Sequence, residues 1–282
     1  MLETKPVAAG QLLREWRVRR RMSQLDLASS AGISARHLSF VETGRSRPSR
    51  EMVLHLAEQL DVPLRERNVL LNAAGYAPVF FERRLEDPAM QSAHQAVDLV
   101  LKGHEPYPAL ALDRHWNVVA TNSAVPPLMA GAGPALLQAP VNVLRLSLHP
   151  KGIAPRIANL PEWRAHLLAR LRRQIELTAD PVLIELMQEL QDYPVPHQDR
   201  AAKPEPDGKE ESVVVPFQLI TDTGILSFFS TTTVFGTPVD ITLSELALEC
   251  FYPTDQATTE ALFRLGDERK RQAEVAATAP GA

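Results

Sequence analysis

The chain has 282 residues, of which 45% are hydrophobic, and a formal net charge of −4. This length and hydrophobic content suffice for two ordinary domains with buried cores and exclude a disordered tail. No segment approaches the roughly 18 consecutive apolar residues of a membrane span, and the first ten residues lack the apolar core of a signal peptide. We therefore expect a cytoplasmic protein with no membrane partner. Cys250 is the only cysteine, which excludes an internal disulfide and a thiolate metal cluster, and no metal or cofactor is expected.

The charge is unevenly distributed along the chain. Residues 1–84 contain 14 Lys and Arg against 9 Asp and Glu, whereas the remaining residues contain 16 against 25. The first third is therefore basic and the rest is acidic. Such asymmetry is expected when one domain meets phosphate groups and the other has a different task.

Short helical segments separated by turns are predicted across residues 10–74. Ser23 suits the N-cap of the second helix, Gly32 supplies the positive φ of the turn after it, and Gly44 suits the end of the third helix. This arrangement is typical of a helix-turn-helix, which depends on packing positions and on the turn. The helices after the first are predicted at residues 24–30, 35–42, 50–60 and 64–74.

The segment SQLDLASSAGISARHLSFVETGRSRPSREMVLHLAEQLDVP resembles the Cro/repressor (xenobiotic-response-element) helix-turn-helix family over about forty residues. The resemblance implies a five-helix domain at residues 10–74 that binds double-stranded DNA. It also implies an inward ion pair between Arg17 and Glu42, so these two residues are interpreted as structural. Members of the family bind as dimers to half-sites about 34 Å apart, so a homodimer is predicted.

The resemblance also implies roles for residues of the second and third helices. Gln24 is expected to touch phosphate and His37 to lie at the groove edge, whereas the base-facing positions are Ala35, Arg36, Ser39 and Phe40. Arg36 is the strongest candidate for base readout because its guanidinium can bond two acceptors of guanine; a phosphate contact is the alternative. Phe40 either touches a thymine methyl or packs inside. The backbone contacts are predicted at Arg45, Arg47 and Arg50.

The chain beyond residue 74 is predicted to form a second domain. Residues 75–88 have the composition of a linker or docking segment. The domain itself is placed at residues 89–265, and residues 266–282 are expected to be a flexible tail. Strands are predicted at residues 109–112, 118–121, 213–220, 225–235 and 246–252. Helices are predicted to open at Asn159 and Asp180, a mobile proline-rich loop at residues 193–211, and a final short helix capped by Asp255.

Three stretches of this domain carry a second resemblance. They are EPYPALALDRHWNVVATNSA, VNVLRLSLHPKGIAPRIANLPEWRAHLLARLRRQ and LSFFSTTTVFGTPVDITLSELALECFYPTD. Together they are similar to the MmyB-like ligand-binding domain. The resemblance implies a PAS-like α+β fold with a small antiparallel sheet, and a small apolar ligand such as a long-chain fatty acid. The whole chain is therefore predicted to be of the α+β class, with an all-α domain first.

A lining for an apolar ligand pocket can be suggested from the residues of this domain. The candidates combine apolar walls with a few polar groups, as small-molecule sites require; ordinary core packing is the alternative. These candidates are Trp116, Asn122, Trp163, Leu167, Phe228, Phe235 and Tyr252. A fatty acid would also need a cation or donors for its carboxylate. The residues available for that contact are Arg114, His115, Arg156 and Arg164, among which the sequence does not choose.

Other classes of function receive less support from the sequence. An enzyme is not expected, because the chain has no nucleophile elbow, no phosphate-binding glycine loop and no H-E-x-x-H motif. A metal sensor would need clustered ligands, whereas His94 and His104 lie ten residues apart and His115 stands alone. An antitoxin or scaffold that binds a protein through its second domain remains an alternative.

Overall fold

The structure is a computed structural model that describes residues 8–194 and 214–278, with side chains as far as residue 272. The chain divides into two compact units. The first comprises the chain up to residue 90 together with residues 176–178 and 236–244, and the second contains the remainder. Most of the loop predicted at residues 193–211 lies outside the described residues, as does Val213.

The first unit is built on five helices, as predicted. They are α1 (Ala9–Arg19), α2 (Gln24–Ser30), α3 (Ala35–Glu42), α4 (Arg50–Gln59) and α5 (Leu64–Ala73). Leucines from every helix meet in one core, where Leu13, Leu27, Leu38, Leu56 and Leu70 are all fully buried. Burial of these side chains supplies the main driving force for folding the unit.

Local sequence signals set the helix boundaries of this unit. Ser23 and Ser34 cap α2 and α3, because each hydroxyl accepts a backbone N–H three residues later. Gly32 and Gly44 adopt the predicted positive φ angles of 63° and 72°. Gly10 serves a different purpose: a Cβ there would lie 2.1 Å from the carbonyl oxygen of Val41, so only glycine lets α1 approach α3 this closely.

The segment after α5 docks on the helical unit. The Asn68 side chain accepts from the backbone N–H of Val79 at 3.0 Å and donates to the carbonyl oxygen of Phe80 at 2.8 Å. The Tyr76 hydroxyl donates to the carbonyl oxygen of Pro48 at 3.0 Å. Of the two interpretations of residues 75–88, a docking segment therefore fits these contacts better than a free linker.

The second unit contains a five-stranded antiparallel sheet in the order β2-β1-β5-β4-β3. The strands are β1 (Ala109–Leu112), β2 (Val118–Thr121), β3 (Phe217–Thr221), β4 (Gly224–Val234) and β5 (Ala247–Pro253). The helices that follow the first five along the chain are α6 (Gln91–Gly103), α7 (Val143–Leu148), α8 (Leu160–Thr178), α9 (Pro181–Asp192), α10 (Ile241–Ser244) and α11 (Gln256–Thr278). Residues 241–244 are grouped with the first unit. The α+β class and the PAS-like arrangement are thus confirmed.

Both faces of the sheet bury apolar residues. Leu110 and Leu112 join the larger cluster with residues of α7, α8 and α9, whereas Ala109 and Ala111 join a smaller cluster with Val97 of α6. Successive side chains of a strand point to opposite faces, so the uninterrupted apolar run of β1 marks a strand covered on both sides. The larger cluster is the core in which the candidate ligand site lies.

Three sequence predictions need correction. β3 begins at Phe217, and the described residues 214–216 of the predicted strand are not strand, since Pro216 has no N–H to give to a ladder. Asn159 precedes α8 without capping it; its side chain bonds instead to Pro216 and Gln218. Asp255 caps α11 as predicted, but that helix is not short: it continues to Thr278 because its Ala, Glu, Lys and Arg residues favour helix.

None of the helices in the described part of the chain combines the length and the apolar character that crossing a membrane requires.

Candidate functional site

A buried ion pair fixes the angle between the first three helices. Arg17 Nε donates to Glu42 Oε1 at 2.7 Å, and Nη2 donates to Oε2 at 2.9 Å. Arg17 Nη1 also donates to the carbonyl oxygen of Met22 at 2.8 Å, in the turn between α1 and α2. The predicted inward pair is confirmed. Because its two hydrogen bonds run in parallel, it restricts orientation as well as distance.

The Glu42 carboxylate stays charged although it is buried. Burial acts most strongly and raises its pKa, but the hydrogen bonds from Arg17 and Gln24 outweigh it, so the pKa of Glu42 lies below its usual value. Gln24 takes part through Nε2, which donates to Glu42 Oε2 at 2.7 Å. A primary amide nitrogen carries two hydrogens, so one N–H of Gln24 remains for the phosphate contact predicted for it.

The exposed side of α3 presents the residues predicted to face bases. Arg36 is exposed, and Ala35, His37, Ser39 and Phe40 are half-buried. The Arg36 guanidinium lies 5.4 Å from the centre of the Phe40 ring, one turn further along the helix. Phe40 is therefore neither fully packed inside nor fully free for a thymine methyl. It is partly packed, and its ring lies against the Arg36 guanidinium.

The three arginines after α3 differ in their surroundings. Arg45 and Arg50 are exposed, and over residues 8–194 and 214–278 their guanidinium groups form no ion pair or hydrogen bond. Arg47 Nη2 donates to the carbonyl oxygen of Ala74 at 3.0 Å, and its guanidinium lies 5.7 Å from the Tyr76 ring. Arg47 thus holds the end of α5, a structural contact that no sequence signal indicated.

An apolar cavity of about 90 Å³ lies inside the second unit. Aromatic and aliphatic side chains from β1, β3, β4, β5, α7 and α8 form most of its wall. Its lining consists of Pro108, Leu110, Val125, Leu128, Met129, Val143, Leu146, Ser147, Ile153, Trp163, Phe217, Phe228 and Phe251. The lining residues with a polar side-chain group are Ser147 and Trp163, and the Trp163 Nε1 itself has almost no accessible surface. The cavity is therefore suited to an apolar ligand with very few polar contacts.

Two of the seven predicted lining residues, Trp163 and Phe228, belong to this cavity. Trp116 is buried elsewhere in the core and donates its indole N–H to Gln174 Oε1 at 2.7 Å. Asn122 is structural, since its amide ties the start of β1 to the carbonyl oxygens of Leu101 and Tyr107.

The remaining three predicted residues also lie outside the cavity lining. Leu167 is a core residue of α8, and Phe235 and Tyr252 pack on the smaller cluster of the opposite face. Periodicity identified these side chains as apolar or buried, but it does not show which of them border a gap.

The four cations proposed for a carboxylate are engaged with protein groups. Arg114 lies 3.3 Å from Asp180, and His115 lies 3.0 Å from the same carboxylate. Arg156 Nη2 donates to the carbonyl oxygen of Leu128 at 2.6 Å, and Arg164 Nη2 donates to that of Leu190 at 2.7 Å. None of the four lines the cavity.

A buried charge cluster in this unit was missed by sequence reasoning. Arg170 donates from Nη1 and Nη2 to the two oxygens of Glu249, at 2.8 and 2.9 Å, and Ser230 and Thr232 donate to the same carboxylate. Burial is the largest influence on the pKa of Glu249 and raises it, but these partners lower it below its usual value. The two charged residues are 79 positions apart, so no local pattern pairs them.

Comparison with known families agrees with both units. A model described as "Helix-turn-helix" matches residues 13–67, and one described as "MmyB-like transcription regulator ligand binding domain" matches residues 93–265. The fold and these matches define the class: a DNA-binding transcription regulator with a ligand-sensing domain. The chain belongs to the MmyB-like transcription regulator family. A search of curated proteins finds no match to it.

Proposed function

We propose that the protein recognises a specific DNA sequence by placing α3 in the major groove, with Arg36 on base edges and Arg45 and Arg50 on phosphates. The observation that carries this proposal is the contrast between charged groups of one unit. Arg17 and Glu42 are buried against each other, whereas Arg36 is exposed and its guanidinium lies over the Phe40 ring. An exposed guanidinium on a rigidly held helix is free to form two bonds with guanine.

Gln24 and Arg47 have smaller roles in this proposal. Each already makes a hydrogen bond within the protein, so each brings its remaining N–H groups to the phosphate backbone. The half-buried Ala35, His37 and Ser39 lie beside Arg36 and shape the surface that enters the groove. The phosphate contacts of Gln24 and Arg47 fix the register of the helix without reading sequence.

Two arginine variants test the division between base and phosphate contacts. A binding sequence is first selected from a randomised duplex library, and fluorescence anisotropy then measures affinity for it and for its single-base variants. Arg36→Ala should lose about 1–3 kcal/mol on the selected sequence and relax the preference at one base position. Arg45→Ala should weaken binding to all sequences alike. Arg21→Ala, which removes an exposed arginine ahead of α2, is the control, and equal losses at Arg36 and Arg45 across the library would contradict the assignment.

The protein is further proposed to bind DNA as a homodimer. This follows from its helix-turn-helix family, whose recognition helices occupy half-sites about 34 Å apart. The selected sequence should then be a palindrome, and sedimentation of the complex should give two chains per duplex. One chain on a sequence without symmetry would refute the dimer and leave base recognition intact.

The second unit is proposed to bind a small apolar ligand of the acyl-chain type in the cavity beside Trp163. Support comes from a lining that is almost wholly apolar and carries two polar side-chain groups. The cavity volume of about 90 Å³ is smaller than the roughly 150 Å³ engineered cavity that holds benzene. A long chain therefore requires side chains to move, and Met129 is the most adaptable group of the wall.

Thermal unfolding with a panel of acyl compounds tests this assignment. A ligand at one hundred times its Kd should stabilise the protein by about 2.7 kcal/mol. Val143→Phe adds a ring to the cavity wall and should abolish that rise in Tm. The matched control is Val119→Phe on β2, where the side chain is 39% exposed, and it should keep the rise. Stabilisation by no acyl compound at saturation would overturn the ligand class.

A further inference from the structure

We infer that the polar end of the ligand is an uncharged hydrogen-bond acceptor, such as an ester, a ketone or a protonated carboxyl group, that receives the indole N–H of Trp163. This inference rests on the proposed ligand function of the cavity and narrows the class of compound that the cavity takes. It depends on three features: a buried donor without a partner, a wall without charge, and the fixed positions of the nearby cations.

The donor is the Trp163 Nε1. Trp163 lines the cavity with only 5% of its surface exposed, and its Nε1 is buried without a hydrogen-bond partner among the described residues. Its neighbours explain this, since the ring lies between His166 and Phe217, stacked on the first and tilted against the second. Buried N–H groups in folded proteins are nearly always satisfied. Nε1 has almost no surface accessible from the cavity in this structure, so a ligand acceptor reaches it once neighbouring side chains move, as a long chain also requires.

Trp116 shows what the same group does when the protein itself supplies an acceptor. Its indole N–H is also in the core of this unit, and it donates to Gln174 Oε1 at 2.7 Å. Among the described residues, the fold thus provides an amide oxygen for the Trp116 indole and no acceptor for the Trp163 indole. The unpaired indole is the one that belongs to the cavity lining.

The cavity wall opposes a charged ligand group. No Lys, Arg, His, Asp or Glu is among its lining residues, and an ionised carboxylate buried without a partner is strongly disfavoured. Arg156 is bound to a residue of the lining, because it donates to the carbonyl oxygen of Leu128. Turning Arg156 towards a carboxylate would break that bond. A neutral acceptor requires no such change.

A water molecule would satisfy Trp163 less well than a ligand. A buried water usually makes about three hydrogen bonds. The lining offers the indole N–H and, through Ser147, one hydroxyl, so the remaining bonds of a water would face hydrocarbon. A single carbonyl oxygen at the end of an acyl chain needs only the bonds that these groups provide.

Nuclear magnetic resonance of the full-length protein tests the inference directly. The chain has three tryptophans, so their indole N–H signals can be resolved after ¹⁵N labelling and assigned with Trp163→Phe. Methyl octanoate should move the Trp163 indole proton downfield, and octane should not. The Trp116 indole, already bonded to Gln174, should move with neither compound. These shifts are read on the wild-type protein, and the Trp163→Phe variant serves only to assign the signal.

Affinities of three probes complete the test. Methyl octanoate should bind at least as tightly as octanoate at pH 8, and Trp163→Phe should reduce the preference for the ester over octane by about fivefold, the effect of one neutral hydrogen bond. Octanoate binding tenfold more tightly than the ester, with that advantage lost in Arg156→Gln, would overturn the inference while preserving the acyl ligand. An unmoved Trp163 signal with bound ester would also overturn it. Binding of none of the probes would remove the proposed ligand function itself.

Discussion

A buried carboxylate is paired with an arginine at Glu42 in the helical unit and at Glu249 in the sheet unit, but these two pairs are buried to different degrees. In the helical unit the side chains of Arg17 and Glu42 are 9% and 0% exposed, whereas in the sheet unit those of Arg170 and Glu249 are 24% and 5% exposed. Arg170 therefore keeps more access to water than Arg17. The loss in the free energy of unfolding when each pair is broken should therefore differ.

The pairs also stabilise different kinds of site. Glu42 joins Arg17 of α1 and Gln24 of α2 to the end of α3, so it fixes the helix that presents Arg36. Glu249 joins α8 to β5 and accepts from hydroxyls of β4, and these three elements contribute Trp163, Phe251 and Phe228 to the cavity. A buried pair orients an exposed surface in one unit and holds the walls of an interior space in the other.

The largest effect is expected at Glu42. Glu42→Ala should lower the free energy of unfolding of the helical unit by about 3–5 kcal/mol, because it leaves the Arg17 guanidinium buried without its carboxylate. Hydrogen exchange of the α1, α2 and α3 amides in the full chain measures this. Glu51→Ala, which removes an exposed acid from the first turn of α4, should leave the same amides protected. Equal exchange in the two variants would show that the buried pair adds nothing.

A smaller effect, with a characteristic pH dependence, is expected at Arg170. Arg170→Met should cost about 1–3 kcal/mol at pH 7, since Glu249 keeps hydrogen bonds to two hydroxyls. In the wild type the lowered pKa of Glu249 means that its contribution is complete above the ordinary value of 4.5 and is lost as pH falls through the folded value. In Arg170→Met, burial without the cation should raise the pKa of Glu249. Protonation of Glu249 should then stabilise the folded state of this variant as the pH falls below 7.

The difference in stability between wild type and Arg170→Met should therefore narrow between pH 7 and pH 5. Hydrogen exchange of β4 and β5 at the two pH values measures it. Arg172→Met removes an exposed arginine of the same helix and should show no such dependence. A gap that stays constant or widens on acidification would mean that Glu249 is already protonated, or that Arg170 acts through its packing on Trp116 at 4.9 Å.

The two units also differ in how much of their structure the sequence predicts. The five helices are set by signals close in sequence, so Ser23, Gly32 and Gly44 define them to within a residue, and the family resemblance implies the pair of Arg17 and Glu42. Most strands of the second unit were also predicted, because alternation and turn residues are local signals. The start of β3 differs from the prediction because Pro216 interrupts the alternating pattern.

The cavity could not be predicted in the same way. Its wall draws side chains from six elements, and a gap between them depends on how these elements pack, which periodicity does not encode. Trp163 and Phe228 were identified as aromatic residues of an apolar face, and so were Phe235 and Tyr252, which pack on the other cluster. Ser147 and Met129 carry no motif that could mark them. The pair of Arg170 and Glu249 was missed for the same reason.

The smallest effect is expected where both units use the same local device, a side chain that caps a helix. Ser23 Oγ accepts the Asp26 N–H at 3.1 Å, and Asp26 Oδ2 accepts the Ser23 N–H at 2.8 Å. Ser23→Ala should therefore cost about 1 kcal/mol, and Ser23→Gly only a few tenths, since glycine leaves the cap position open to water. Urea unfolding of the two variants beside wild type measures the difference.

The corresponding cap in the sheet unit is Asp180. Asp180 caps α9 by accepting from Val182, and it also pairs with Arg114 and His115. Asp180→Ala should therefore cost more than Ser23→Ala, and Asp180→Asn, which keeps the cap and removes the charge, should fall between wild type and Asp180→Ala. Equal losses for Ser23→Ala and Asp180→Ala would mean that the ion pairs of Asp180 add nothing to its cap. Charge partners would then add to stability only where, as in the pair of Arg17 and Glu42, both side chains are largely shielded from water.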